Sequence, residues 1–287
     1  MINKVIDFKC THNNYDDITK IEDMDNIKFP EAYMKGEEMA KLSLKIKNIS
    51  KSPICILPFC HTVEAECLGA IVNFGDAMYG PRINEYKTKN TKELEKLEPI
   101  DFTQGRIAQV ILACKNLKDA GEFVCLEISG PMTILSSLID LKEIFKTWRK
   151  NSENIIRVLE FINGQILKYA DTAKDYADII CYADPIASYN ILGPKMSEEW
   201  TKISTIPFLN KLSSTVSKSS IIHICPKISF MLTGLGLAKW QNFGIEKPMR
   251  FSEACIKNKG NIEMTGENCI KNKNYIVKKN IKEIILN

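Results

Sequence analysis

His223 and Cys225 stand two positions apart at the end of the apolar run Ser220-Ile221-Ile222, and residues at that spacing on a strand project to one face. An imidazole and a thiolate, joined by a distant cysteine such as Cys269 in Gly266-Glu267-Asn268-Cys269, make up the nitrogen and sulfur donors that zinc prefers. Three protein ligands leave the fourth position open, which suits a catalytic metal better than a structural one. Other reactive side chains follow apolar runs along the chain: Cys60-His61, Asp76, Ser129 and Asp184.

Those side chains need rigid elements behind them. Ile54–Phe59, Ala70–Phe74, Phe123–Ile128, Ala177–Tyr182 and Ser220–His223 read as buried strands, and Leu42–Ile49 alternates as a strand with one exposed face. Helices are expected from Thr62 to Leu68, Phe102 to Leu117, Lys142 to Ala173, Ser197 to Leu212 and Pro226 to Trp240. Two short extended pieces are expected to end near Cys255 and Cys269, and Gly234-Leu235-Gly236 reads as helix packing. Continuous apolar strands alternating with helices imply a parallel sheet covered by helices. Reactive residues after six strands favour a (β/α)8 TIM barrel, whose site is built where the C-terminal strand ends converge. A doubly wound sheet is the alternative, but no glycine-rich phosphate loop follows the first strand.

At 287 residues, 45% hydrophobic and 26% charged, the chain suits one α/β barrel domain over residues 1–287, with residues 1–40 as an N-terminal extension. The net charge of +4 comes from interleaved lysines and acids, and no basic stripe with aromatics marks a nucleic-acid partner. The basic stretch Lys271–Lys282 reads as a solvated end. No run approaches the ~18 apolar residues of a membrane helix, and no export signal opens the chain. Ten cysteines, several inside apolar runs, therefore point to a reduced cytoplasm, with metal or catalytic use rather than bridges.

Five blocks occur in order: Pro58-Phe59-Cys60-His61-Thr62-Val63-Glu64-Ala65-Glu66, Ser129-Gly130-Pro131, Ala183-Asp184-Pro185-Ile186-Ala187-Ser188, Gly193-Pro194-Lys195-Met196 and His223-Ile224-Cys225. Together they resemble the uroporphyrinogen decarboxylase superfamily, and within it the zinc-dependent branch that moves a methyl group from a methylated corrinoid protein to a thiol such as coenzyme M. The decarboxylase's own arginine-rich substrate clamp, of the Arg-Gln-Ala-Gly-Arg-Tyr type, has no counterpart here. A third expectation, from another class, is a non-catalytic barrel that docks on corrinoid proteins.

The resemblance implies zinc held by His223, Cys225 and Cys269, with a methyl-corrinoid (methylcobalamin) as donor and a corrinoid protein and a small thiol as partners. Family members place the last ligand in a Gly-Cys pair. Here it is Asn268-Cys269, with Cys255 as a rival, and the barrel is abbreviated at its C-terminal end. Glu64 and Glu66 open a helix, where the dipole alone favours acids; one of them is a candidate to fill the open zinc position or orient the substrate. Asp76 stands at a place similar to the decarboxylase's essential aspartate. Asp184 is a candidate for substrate positioning or support of the zinc, and otherwise for capping a turn. Cys60, His61 and Tyr189 complete the expected rim.

Overall fold

The computed structural model describes residues 8–10, 18, 27–216 and 219–287. The expected extension over residues 1–40 lies partly outside them. Its described portion is part of the core, for Ile27, Ala32, Tyr33 and Met39 are all buried.

The central sheet has seven strands. Five of them run parallel and side by side: β1 (Cys55–Leu57), β4 (Val124–Ser129), β5 (Ile179–Ala183), β6 (Ile221–Ile224) and β9 (Met264–Thr265). The last two, β11 (Asn280–Leu286) and β7 (Ala238–Gly244), are antiparallel. The α/β fold expected from the alternating pattern is therefore present, and so is the abbreviation. After β6 the chain adds one short parallel strand, β9, and the antiparallel pair β7 and β11, and no pairing of β1 with β7 closes the sheet among the described residues. The stretch Lys271–Lys282, expected to be a solvated end, instead enters the structure: Lys271 is largely buried, and β11 lies between β9 and β7.

The two faces of the sheet are covered differently. Leu126, Ile128, Ile180, Tyr182, Ile222 and Ile224 pack with the helices. The alternate residues Cys125, Ile179, Cys181 and Ile221 pack with the C-terminal segment, including Phe251, Cys255, Ile262, Ile270 and Val277. This follows from the two-residue period of a strand buried on both sides. Cys255, the rival third ligand, is thus a core residue on a helix rather than the end of an extended piece.

Local chemistry explains where the elements depart from expectation. Leu42–Ile49 lies within helix α1 (Gly36–Ser50), because Met39, Ala40, Leu42 and Ser43 share the buried face at helical spacing. Ala70–Phe74 supplies β2 (Ile71–Asn73), which pairs only with β3 (Arg82–Glu85) in a separate hairpin. The expected single helix from 142 to 173 is divided at Asn151, whose side chain accepts a hydrogen bond from the Glu153 N–H and caps the second half. The helix after Pro226 stops at Gly234, and Gly236 at φ 71° turns the chain into β7. Trp240 is therefore on a strand, and the Gly-Leu-Gly stretch is a helix stop. No described helix is long and apolar enough to cross a membrane, and no disulfide joins cysteines among the described residues.

Candidate active site at the C-terminal ends of the strands

Four adjacent strands place one row of polar side chains across the inner face of the sheet. Glu127 is in register with Cys181, Cys181 with His223, and His223 with Thr265. The first three lie within apolar runs and are buried, so each must find a partner.

His223 finds two. Its Nδ1 lies 3.1 Å from the Cys181 Sγ, and its Nε2 lies 2.9 Å from the Asn268 carbonyl oxygen. A carbonyl only accepts, so Nε2 carries the proton and donates it, leaving the Nδ1 lone pair turned toward Cys181. Burial opposes charging the ring, but Cys181, the Asn268 carbonyl and Glu127 outweigh it and hold the His223 pKa above the ordinary value. Asn268 is held in place by its loop. The Gly266 carbonyl accepts from the Ser229 hydroxyl at 2.6 Å, and the Glu267 carboxylate accepts from the Lys282 N–H at 3.1 Å and the Tyr275 hydroxyl at 3.3 Å. Gly266 must be glycine, since a Cβ there would stand 2.4 Å from the Ile224 carbonyl.

Cys225 follows β6 and starts helix α9 (Pro226–Gly234), and its N–H still joins the sheet through the Tyr182 carbonyl at 2.9 Å. Burial, with Cys181 and Glu127 nearby, pushes its thiol up to about 12. Cys269 follows β9, and the neighbouring Cys10 thiol and burial raise its pKa. Phe8 stacks on Phe230 of α9 at 5.8 Å.

Glu127 and Lys271 form an ion pair at 2.6 Å, and His61 Nε2 lies 3.7 Å from the other Glu127 oxygen. Burial works against the carboxylate, yet Lys271, His61 and His223 hold its pKa below the ordinary range. Glu127, Cys181 and Lys271 were not among the expected site residues. A single acid inside the run Phe123–Ile128 is the signal that could have found the first, because buried acids need partners.

The remaining expected residues mainly position elements. Asp184 is completely buried and accepts from the Met132 and Thr133 N–H groups at 3.2 and 2.8 Å and from the Thr133 hydroxyl at 2.7 Å. It thereby caps helix α4 (Pro131–Leu138) from across the sheet; burial pushes its carboxyl up to about 6 against the pull of those donors. Gly130 makes the approach possible, for a Cβ there would lie 2.3 Å from the Asp184 Cβ. Gly130→Ala is accordingly expected to destabilise the fold by about 1–3 kcal/mol or more, read from denaturant midpoints; an unchanged midpoint would contradict this packing.

Glu64 accepts from the Ser129 N–H and hydroxyl at 2.7 and 3.0 Å, joining its helix to β4. Glu66 pairs with Arg106, which also donates to Cys60 Sγ at 3.2 Å and Thr62 Oγ1 at 2.7 Å. Asp76 lies outside the central sheet, in an exposed turn where it accepts from the Met78 and Tyr79 N–H groups, both at 2.8 Å; those bonds lower its pKa. Tyr189 opens the helix that carries Gly193–Met196, a stretch lining a cavity of about 650 Å³ with Phe145 and Trp148.

The donors that zinc selects are therefore gathered at one end of the sheet, and the His223 N–H bonded to a carbonyl matches the usual support of a metal-ligating imidazole. Among the described residues, no three His, Cys, Asp or Glu side chains yet converge closely enough to enclose an ion.

Comparison with known proteins identifies the family. The uroporphyrinogen decarboxylase (URO-D) family matches residues 18–269. The chain is 27% identical over 236 residues to the methylcobamide:CoM methyltransferase MtaA of Methanosarcina barkeri, covering 80% of this chain and 68% of that one. It is 26% identical over 204 residues to the methylcobamide:CoM methyltransferase MtbA of Methanosarcina acetivorans, covering 69% and 59%. A solved methyltransferase from Methanosarcina mazei superposes with a TM-score of 0.63 at 27% identity, over 74% of this chain and 63% of that one. The chain thus spans about two thirds of the length of the relatives it matches. It belongs to the uroporphyrinogen decarboxylase family, on its methyltransferase side.

Proposed function

We propose that the protein is a corrinoid-dependent methyltransferase that moves a methyl group from a methylated corrinoid, carried by a partner corrinoid protein, to a small thiol such as coenzyme M. The observation that carries this reading is His223 and Cys225 together at the C-terminal end of β6, in a chain 27% identical to a methylcobamide:CoM methyltransferase. A cytoplasmic setting accompanies it.

Zinc is the cofactor in this reading. His223 and Cys225 would hold it with a second thiolate, which chain order assigns to Cys269. Bound zinc would favour the deprotonated form of the acceptor thiol at neutral pH, where a free thiol with a pKa near ~8.5 is mostly protonated. The chain's own residues set the geometry for that role. The Asn268 carbonyl fixes the His223 tautomer, and Phe251, edge-on at 5.9 Å, covers the ring. The Glu127–Lys271 pair keeps a fixed carboxylate beside His61. Asp184 and Glu64 hold the strand ends and helix starts in register, and Arg106 ties Glu66 to Cys60. Asp76, in its hairpin turn, takes no part.

Metal analysis tests the cofactor. Purified protein is expected to carry close to one zinc per chain, and Cys225→Ser to carry almost none. Protein that stays metal-free after incubation with zinc would contradict the assignment.

A further inference from the structure

A thiol that becomes a thioether gives up one proton, and that proton needs a destination. Lowering the thiol's pKa, as bound zinc would, makes the proton easier to release but does not carry it away. His61 stands where it can. It lies in the segment after β1, at the C-terminal end of the sheet, and its side chain is one third exposed. Its Nε2 is 3.7 Å from Glu127 Oε1, while the other Glu127 oxygen is bonded to Lys271 at 2.6 Å. A carboxylate kept ionised by a lysine only accepts, so the His61 proton belongs on Nε2, facing it. Nδ1 then carries the lone pair, and that atom is buried with no hydrogen-bond partner among the described residues. A buried nitrogen left unpaired costs about 1–3 kcal/mol, so this position suits one that meets its donor when a ligand binds.

Glu127 also links this imidazole to the site. In the strand order β1-β4-β5-β6 it stands between them, and its carboxylate feels both His61 and His223. Cys225 in turn feels Glu127. Around His61 stand Glu127, Lys271 and its chain neighbour Cys60, which Arg106 holds; Cys181 and His223 follow beyond Glu127 in the row. Glu127, held below the ordinary carboxylate range, is too weak a base for a thiol, whereas imidazole exchanges protons near neutrality.

We propose that His61 is a catalytic residue that takes the acceptor thiol's proton at Nδ1, with Glu127 and Lys271 as positioning residues that hold the ring and meet its charge. This rests on the methyltransferase reading given above. The S–H bond breaks with its electron pair left on sulfur, and the proton goes to Nδ1. The sulfur pair forms the new S–C bond, and the cobalt–carbon bond breaks with both electrons left on the corrinoid. His61, partly open to solvent, then releases the proton. The spacing to Glu127 is expected to tighten as the ring gains charge, as catalytic hydrogen bonds do when substrate is bound. The acceptors that need this base are alkyl thiols, which are mostly protonated at neutral pH.

Two acceptors test the role at about pH 7.5, where a free imidazole is mostly neutral. One is coenzyme M, an alkyl thiol, and the other is thiophenol, an aromatic thiol largely ionised at that pH. Zinc-loaded wild type and His61→Gln would be assayed with methylcobalamin. His61→Gln is expected to lose about a hundredfold in rate with coenzyme M, within the range of general base catalysis, and less than about threefold with thiophenol. Equal losses with both thiols, as a merely structural role would produce, or no loss with coenzyme M, would overturn the proposal. If His61→Gln does not fold, nuclear magnetic resonance of wild type carrying isotope-labelled histidine decides, since the chain has only three histidines. Coenzyme M is expected to convert His61 to the doubly protonated ring, and thiophenol to leave it neutral. A ring that stays neutral with coenzyme M refutes the assignment. Wild type that demethylates methylcobalamin with neither thiol would sink the methyltransferase reading and this role with it, a result distinct from all of these.

Discussion

Cys225→Ser is expected to reduce thiol-dependent methyl transfer by about a thousandfold or to background, while leaving the fold and its thermal midpoint almost unchanged. The size follows from the several kcal/mol that a bound metal supplies as a Lewis acid, each ~1.36 kcal/mol being tenfold in rate. The structural tolerance follows from the position. Cys225 precedes the first residue of α9 and makes no side-chain capping bond, and serine is favoured at such a position. The substitution therefore removes a sulfur ligand without a cavity or an orphaned donor. His223→Ala is a poorer probe, because it would leave Cys181 and the Asn268 carbonyl without their partner inside the sheet. A Cys225→Ser enzyme retaining a tenth or more of the wild-type rate would contradict the role given to this thiol.

The second large effect lies at the opposite end of the strands and concerns stability. Asp178, just before β5, is almost fully buried and accepts from Lys118 at 2.7 and 2.8 Å, from Lys259 at 2.7 Å and from the Val124 N–H at 3.1 Å. Burial works against its charge, but the two lysines and the Val124 N–H prevail and lower its pKa. Asp178→Ala leaves two lysines facing each other and a strand N–H unpaired. Breaking a buried pair costs about 3–5 kcal/mol. Both lysines remain about a third exposed, which favours the lower part of that range. The thermal midpoint is expected to fall by about 6–12 °C, with methyl transfer at low temperature unaffected. The pH dependence has a definite sign. A carboxyl whose folded pKa is depressed contributes its full stability above the unfolded value of about 3.9, and loses it as pH falls through the lower folded value. The wild-type advantage over Asp178→Ala should therefore be constant near neutrality and shrink only in acid. An equal midpoint for both proteins at pH 7 would contradict the role of this ion pair.

Much of this architecture could be read along the chain, and the exceptions share physical causes. β4, β5 and β6 were legible because strands buried on both faces are continuous apolar runs. The same continuity concealed Glu127 and Cys181, since a strand buried on both sides gives no sign of which neighbours will share a row. Only the register, which pairs Glu127 with Cys181 and Cys181 with His223, turns three separate residues into one site. His223 and Cys225 were legible because two chemically distinctive residues at the strand period define a face without any partner strand. α1 was misread because Leu42, Leu44 and Ile46 alternate with polar residues, while the burial of Met39, Ala40 and Ser43 follows the helical repeat. Lys271 looked like part of a solvated stretch, since its charge is satisfied by an acid 144 positions earlier in the chain. Asp184 and Glu64 are legible as acids near strand ends, but which N–H groups they accept from depends on packing between distant elements.

The central claim is tested most directly by mixing the zinc-loaded protein with methylcobalamin and coenzyme M and following the loss of the methyl-cobalt absorption together with the formation of the methylated thiol. The account predicts thiol-dependent demethylation by the wild type, abolished in Cys225→Ser and spared in Asp178→Ala at low temperature. Zinc-loaded wild type that leaves methylcobalamin intact with coenzyme M and with a panel of other small thiols, in the presence of a methylated corrinoid protein as well as the free cofactor, would contradict it.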